Sequence, residues 1–226
     1  MAVLFGLLSC VFVRLAYFGV HYILSPWAKR YAALEPHRQM YVQKNLVKSC
    51  YLCALVLVGS WVAIRPIVYE NRWDNDIIRL LAVMYGSNDL VGVLVVERLP
   101  TTTKMHHIVS SILVCAAMFI DFQTSLVGQS MLVYTFTSAS AYLVNLHLGL
   151  RLIFESFQLD RLRRCAAIVY VVACFISWSV HIWWWSQHGA FHWYECLYFI
   201  FLAIIIRDDV ILMNWLVKDK RVAKDQ

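Results

Sequence analysis

The chain has 226 residues, 61% of them hydrophobic and 15% charged, with a formal net charge of +6. A soluble globular domain carries about 45–50% apolar and about 25% charged residues, so this composition excludes one, together with a disordered chain and a nucleic-acid binder. The seven Cys are scattered through apolar segments, and no disulfide framework is expected.

In chain order, the apolar runs between charge clusters have the length that crosses a bilayer. They predict an all-α, polytopic membrane protein of seven transmembrane helices, at about 2–27, 47–68, 76–98, 103–122, 124–157, 163–187 and 192–217. The first run is read as a helix and not a signal peptide, because Arg14 interrupts it and no small-x-small site follows. The fifth is long enough to tilt or to project into the headgroups. Short connections and the lack of a Pro/Gly/Ser linker predict a single membrane domain over 1–226, closed by a short basic tail at 218–226.

Orientation follows from the basic residues. Lys29, Arg30, Arg38, Lys44, Arg98, Lys104, Arg161, Arg163, Arg164, Lys218, Lys220, Arg221 and Lys224 collect on one side, against Arg72 on the other. The amino terminus is therefore expected in the lumen and the carboxyl terminus in the cytosol. Trp183, Trp184, Trp185, Trp193 and Tyr194 form an aromatic belt at one lumenal turn, near Gly189. The lumenal loops are too short for a catalytic domain, so any chemistry belongs inside the bundle or at its cytosolic rim.

Ionisable groups inside a bilayer are costly and mark function by default. They are Arg14, Asp89, His106, His107, His147, Arg207, Asp208 and Asp209, with the polar Asn145. Asp89 and Asp208 lie roughly 12–15 Å from the cytosolic ends of their helices at 1.5 Å per residue. One polar cavity open to the cytosolic leaflet would explain them together. The plain structural alternative is that Arg14 pairs with Asp208 or Asp209 and Arg207 satisfies the other.

Leu99-Pro100-Thr101-Thr102-Thr103 reads as a turn with a hydroxyl N-cap, which starts the fourth helix near Thr103. His106 and His107 then sit in its first turns, where the helix dipole favours neutral imidazole. Adjacent residues diverge by about 100°, so one ring is expected to face a cavity and the other to support it. Ser110 and Ser111, four residues on, are placed to fix a tautomer. One imidazole would be the general base or transient acyl acceptor, and Asp89 would orient it. The alternative is that the three close a buried hydrogen-bond network.

Tyr85-Gly86-Ser87-Asn88-Asp89-Leu90, a short loop, and then His106-His107 opening an apolar helix resembles the core of the TLC-domain family. That family groups ceramide synthases with translocon-associated and lipofuscinosis-type membrane proteins. The likeness spans about residues 42–220, helix 1 preceding it, and extends to Ser140–Asn145 and to Asn214-Trp215. The resemblance implies a TLC-like bundle in the endoplasmic reticulum, active in lipid metabolism on sphingolipid-like substrates as an acyltransferase. His106, His107 and Asp89 would be catalytic. Tyr85, Asn145, His147, Asp208, Asp209, Arg98 and Lys104 would bind substrate, the basic residues (with Arg161) meeting the phosphates of acyl-CoA as co-substrate. Membrane lipids are the expected partners, homo-oligomers remain open, and no bound cofactor is expected.

The chain departs from ceramide synthases after the His pair. They carry His-Asp and Ser-Asp pairs there, and this chain reads Tyr134-Thr135-Phe136-Thr137-Ser138-Ala139. Tyr51 stands near the place of a His in many members. The missing acids open a second function class, a non-catalytic lipid-binding or membrane-composition regulator on the same fold. A more distant third is a haem-binding electron carrier using His106 or His107 with His147. Retinal proteins and receptors are disfavoured, since 192–217 holds no Lys. Cys50-x-x-Cys53 has zinc-like spacing but no second pair nearby, so no metal is expected.

Overall fold

The computed structural model describes residues 2–188 and 192–218, and among these every regular element is helical. The helices are α1 (Ala2–Trp27), α2 (Lys29–Ala32), α3 (Pro36–Gly59), α4 (Arg65–Glu70), α5 (Asn75–Val95), α6 (Thr101–Ala117), α7 (Leu126–Ser138), α8 (Tyr142–Leu150), α9 (Ser156–Ser186) and α10 (Trp193–Val217). Four stretches are long and apolar enough to cross a membrane: Leu4–Trp27, Pro36–Glu70, Asn75–Val95 and Leu159–Ser186. The seven expected runs therefore reduce to four on length and composition. The other three fall short for separate reasons: α6 has 17 residues, a 3₁₀ turn at Ala139–Ala141 splits α7 from α8, and α10 carries Arg207, Asp208 and Asp209 at mid-length.

Local chemistry sets these ends. Pro36 opens α3 at a position where a missing N–H costs nothing. Pro66 would crowd the carbonyl four residues back, and the chain absorbs it in a π turn at Ser60–Ile64, so α3 and α4 run on as one bent rod. Asn71, at φ 47°, ends that rod in the left-handed region. Asp74 caps α5 by accepting from the amides of Asp76 and Ile77, and Ser125 caps α7 through Gly128 N. In the 118–125 turn, hydrogen bonds from the Asn75 amide, Gln123 N and the Thr124 hydroxyl hold the exposed Asp121 carboxyl below its ordinary range.

The break between α7 and α8 has a hydroxyl cause. Thr137, Ser138 and Ser140 each donate to a carbonyl three or four residues back, which bends a helix. Ser49 of α3 donates to Tyr142 O at 2.8 Å, and Asn145 donates to Ala141 O at 2.9 Å, so the carbonyls around the break keep partners.

Pairwise packing closes a ring: α3 meets α5 and α8, α5 meets α6, α6 meets α10, α10 meets α9, and α9 meets α7 and α8. α1 lies outside the ring against α3 and α5. Toward the Asp121 end the interior is apolar, built from Ile78, Ala117, Phe122, Met131, Tyr198 and Ile205. Trp185 belongs to this core, donating to Ser130 Oγ at 3.1 Å and packing edge-on against Phe199, and is not part of the expected belt; Trp183 and Trp193 are exposed.

The charge asymmetry is smaller than the sequence count. Lys44 is buried inside α3, whereas Arg79 donates to Ile120 O and Arg65 lies over the Trp61 ring, joining Arg72 at the Asp121 end. Lys220, Arg221, Lys224 and the turn at Gly189 lie outside the described residues.

Close approach of α8 to α3 depends on Gly149, where a Cβ would stand 2.8 Å from Leu46 Cδ2. Gly149→Ala is expected to destabilise the fold by about 1–3 kcal/mol through overpacking. Gly19→Ala, where a Cβ meets nothing within 4 Å, should leave the melting temperature in detergent at or slightly above wild type.

Candidate functional site

On the far side of the apolar core from Asp121, the ring encloses a polar cavity of about 290 Å³. Tyr85, His106, His107, Asn145, Asp208 and Asp209 line it, so six of the residues expected from sequence meet in one place. Both imidazoles face this cavity, in place of the single ring expected; their centroids are 5.5 Å apart at 78°. α6 begins at Thr101 after Pro100, two residues early, which puts the pair in its second turn. Thr103 is no cap: its hydroxyl donates to Asp208 Oδ1 at 3.3 Å. Ser111 donates to the His107 carbonyl and not to a ring.

Each imidazole has a carboxylate. His107 Nδ1 lies 3.1 Å from Asp89 Oδ1, and His106 Nδ1 lies 3.4 Å from Asp208 Oδ2. A carboxylate beside Nδ1 favours the Nδ1–H tautomer, but both contacts are at ion-pair distance without hydrogen-bond geometry, and Nε2 of His107 is itself buried without a hydrogen-bond partner. Asp89 is wholly buried on α5, and Lys48 of α3 donates to the same Oδ1. Asp209 accepts from Tyr134 Oη at 2.6 Å and Tyr170 Oη at 2.7 Å, short bonds of the charge-assisted kind. Ser138 Oγ and Tyr85 Oη lie 3.1 Å apart where the cavity meets a small apolar pocket lined by Leu113, Phe122 and Met131.

Three expectations need correction. Arg14 pairs with neither acid of α10; its guanidinium lies over the Phe18 ring and reaches Met40 Sδ. Among the described residues no ion pair joins Arg207 to Asp208 or Asp209. His147 is buried but not part of the cavity lining, and its ring packs 5.9 Å from that of Trp215. Arg98 and Lys104 are exposed and outside the lining, while their chain neighbours Leu99 and Thr103 are part of it, which is compatible with the expected rim position. Tyr51 points to Ser9 of α1.

The sequence reading missed Lys44, Lys48 and Arg151, the cations that do serve the cavity, and the tyrosines on Asp209. A signal was present: Glu35-Pro36 marks a helix start, and a helix from there carries Lys44 and Lys48 one turn apart on one face. Asp89, His106 and His107 offer ligand atoms within 4.8 Å of one another. A cation there would meet the Lys48 ammonium on the same carboxylate oxygen, so these residues fit an internal ion pair better than a metal. Comparison with protein-family models, curated proteins and solved structures gives no match.

Removing one partner of a buried ion pair leaves the other charge uncompensated, at a cost of about 3–5 kcal/mol. Lys48→Met should destabilise the protein by that order, and the double variant Lys48→Met/Asp89→Leu should recover much of the loss, as read by denaturation in mixed micelles.

Proposed function

We propose that this chain is a TLC-like membrane enzyme of lipid metabolism that transfers an acyl group from acyl-CoA to a lipid amine or hydroxyl. One observation carries the reading: two imidazoles, each backed by its own carboxylate, line a single polar cavity within the helical ring. Asp208 and Asp209 bring in from α10 the acidic groups that the fifth run lacks. In the reaction, the acceptor oxygen or nitrogen attacks the thioester carbonyl, forming a C–O or C–N bond as the C–S bond breaks. Nε2 of His106 or His107 takes the acceptor's proton and passes it to the departing CoA thiolate, while Asp208 or Asp89 stabilises the transient imidazolium. Tyr85 and Asn145 lie where they would contact the reacting head.

The seven-span topology belongs to the same proposal. α6, α7 with α8, and α10 would add three crossings to the four apolar ones, since His106, His107, Asn145, Asp208 and Asp209 face the ring interior; Arg207 is exposed and is the charge this topology leaves outside the ring. The lumenal amino terminus and the endoplasmic-reticulum address rest on residual charge bias and on the family resemblance. A carboxyl-terminal tag should then be digested by protease in sealed microsomes with the cytosolic face outward; a protected tag reverses the orientation.

The absent acids after the His pair favour the second reading, a lipid-binding regulator. Lipidomes of cells producing wild type and His106→Ala/His107→Ala protein separate the two. Positioned acid–base groups contribute about 10²–10⁴-fold to rate, so acyl transfer by purified protein should fall by that order in the double variant. Full activity in a folded double variant leaves the pair a structural role.

A further inference from the structure

The cavity's cations are unevenly matched. Lys48 is on Asp89, but Lys44, 4% exposed, has no hydrogen bond or ion pair among the described residues. Its stem runs along Gly92 of α5, where a Cβ would stand 3.4 Å from Cε, and the residue is part of the cavity lining. Arg151, at the end of α8, lines the same cavity with its guanidinium 4.7 Å from the Trp215 ring and 5.9 Å from that of Tyr41. Its Nε is buried and without a partner. Arg151 is held by aromatic packing, and Lys44 senses Asp89 and Asp208 only through space, so both keep hydrogen-bonding capacity that the oxygens of a ligand's anion would fill.

We propose that Lys44 and Arg151 form an oxyanion subsite for the headgroup of an acidic lipid, whose phosphate or carboxylate they hold beside the imidazoles. A cavity of about 290 Å³ is at the small end for ligand sites, enough for a headgroup and too small to enclose a nucleotide carrier. Arginine's planar fork suits two oxygens of one anion, and the lysine adds a point charge. The lone pairs of the α10 carboxylates are engaged elsewhere, Asp208 facing His106 and Thr103 and Asp209 accepting from two tyrosine hydroxyls, and of the two only Asp208 acts on Lys44 through space. The inference rests on the cavity being the substrate site proposed above and names the class of lipid that enters it.

The test is equilibrium binding, without turnover, to full-length protein in neutral detergent. The probes are dioleoyl phosphatidate, oleate, dioleoylglycerol and inorganic phosphate. Phosphatidate or oleate should bind at least tenfold tighter than dioleoylglycerol, and Lys44→Met or Arg151→Met should erase that preference. His106→Ala/His107→Ala should keep it, even with acyl transfer lost. The wild-type comparison needs no variant, so it stands if a substituted protein fails to fold. Dioleoylglycerol binding as tightly as the acids, inorganic phosphate binding more tightly than the lipids, or an unchanged preference in a folded variant overturns the subsite. Absence of acid-lipid preference in protein that still transfers acyl groups sinks this inference and leaves the catalytic proposal standing.

Discussion

A carboxylate withdrawn from water must find its partners inside the protein, and Asp89 is the extreme instance here. It is wholly buried on α5 and held by Lys48 from α3 and His107 from α6. One side chain thereby fixes three helices about a point, and the neighbouring acids repeat the device. Asp208 ties α10 to α6 through His106 and Thr103; Asp209 ties α10 to α7 and α9 through Tyr134 and Tyr170. Apolar packing alone discriminates weakly between helix arrangements in a lipid-like setting, whereas polar contacts with few acceptable partners do so strongly. The ring of helices and the polar cavity are consequences of the same three acids.

The interior divides accordingly. Toward Asp121 the core is apolar and aromatic, with polar inclusions such as His181, between Ser177 O and Tyr198 Oη, and Ser130, which accepts from Trp185. On the other side the walls are charged. The 3₁₀ turn at Ala139–Ala141 marks the boundary, with Tyr85 and Ser138 meeting there across the bundle. Such a division suits an amphiphile, whose head and tail want opposite surroundings.

Helix type and rough placement were legible because long apolar runs leave few alternatives, and the polar exceptions within them named most of the cavity lining. What escaped was set by position and not by residue type. Lys44 looked like a loop charge because the second helix was begun at Val47, when Pro36 already opens it. His147 has the chemistry of a site residue, yet half a helical turn sends its ring to Trp215. The fifth run reads as continuous from its apolar content, because hydroxyls bonding back to carbonyls leave no trace in hydropathy. Arg151 and Trp215, 64 positions apart by their numbering, meet only through the fold.

The segments that fail the length and composition test have something further in common. α6, the broken α7–α8 pair and α10 are the ones that furnish His106, His107, Asn145, Asp208 and Asp209. On the seven-span reading, the four apolar stretches enter the bilayer on their own merit, while the others carry groups that cost about 2.5–3.5 kcal/mol each near its centre. Their entry would become favourable as partners on earlier helices arrive to meet them: Lys48 and Asp89 are in place before His107, His106 before Asp208, and Tyr134 and Tyr170 before Asp209. Biogenesis would then proceed by recruitment in chain order, the cavity being finished only when α10 is retained by α6, α7 and α9.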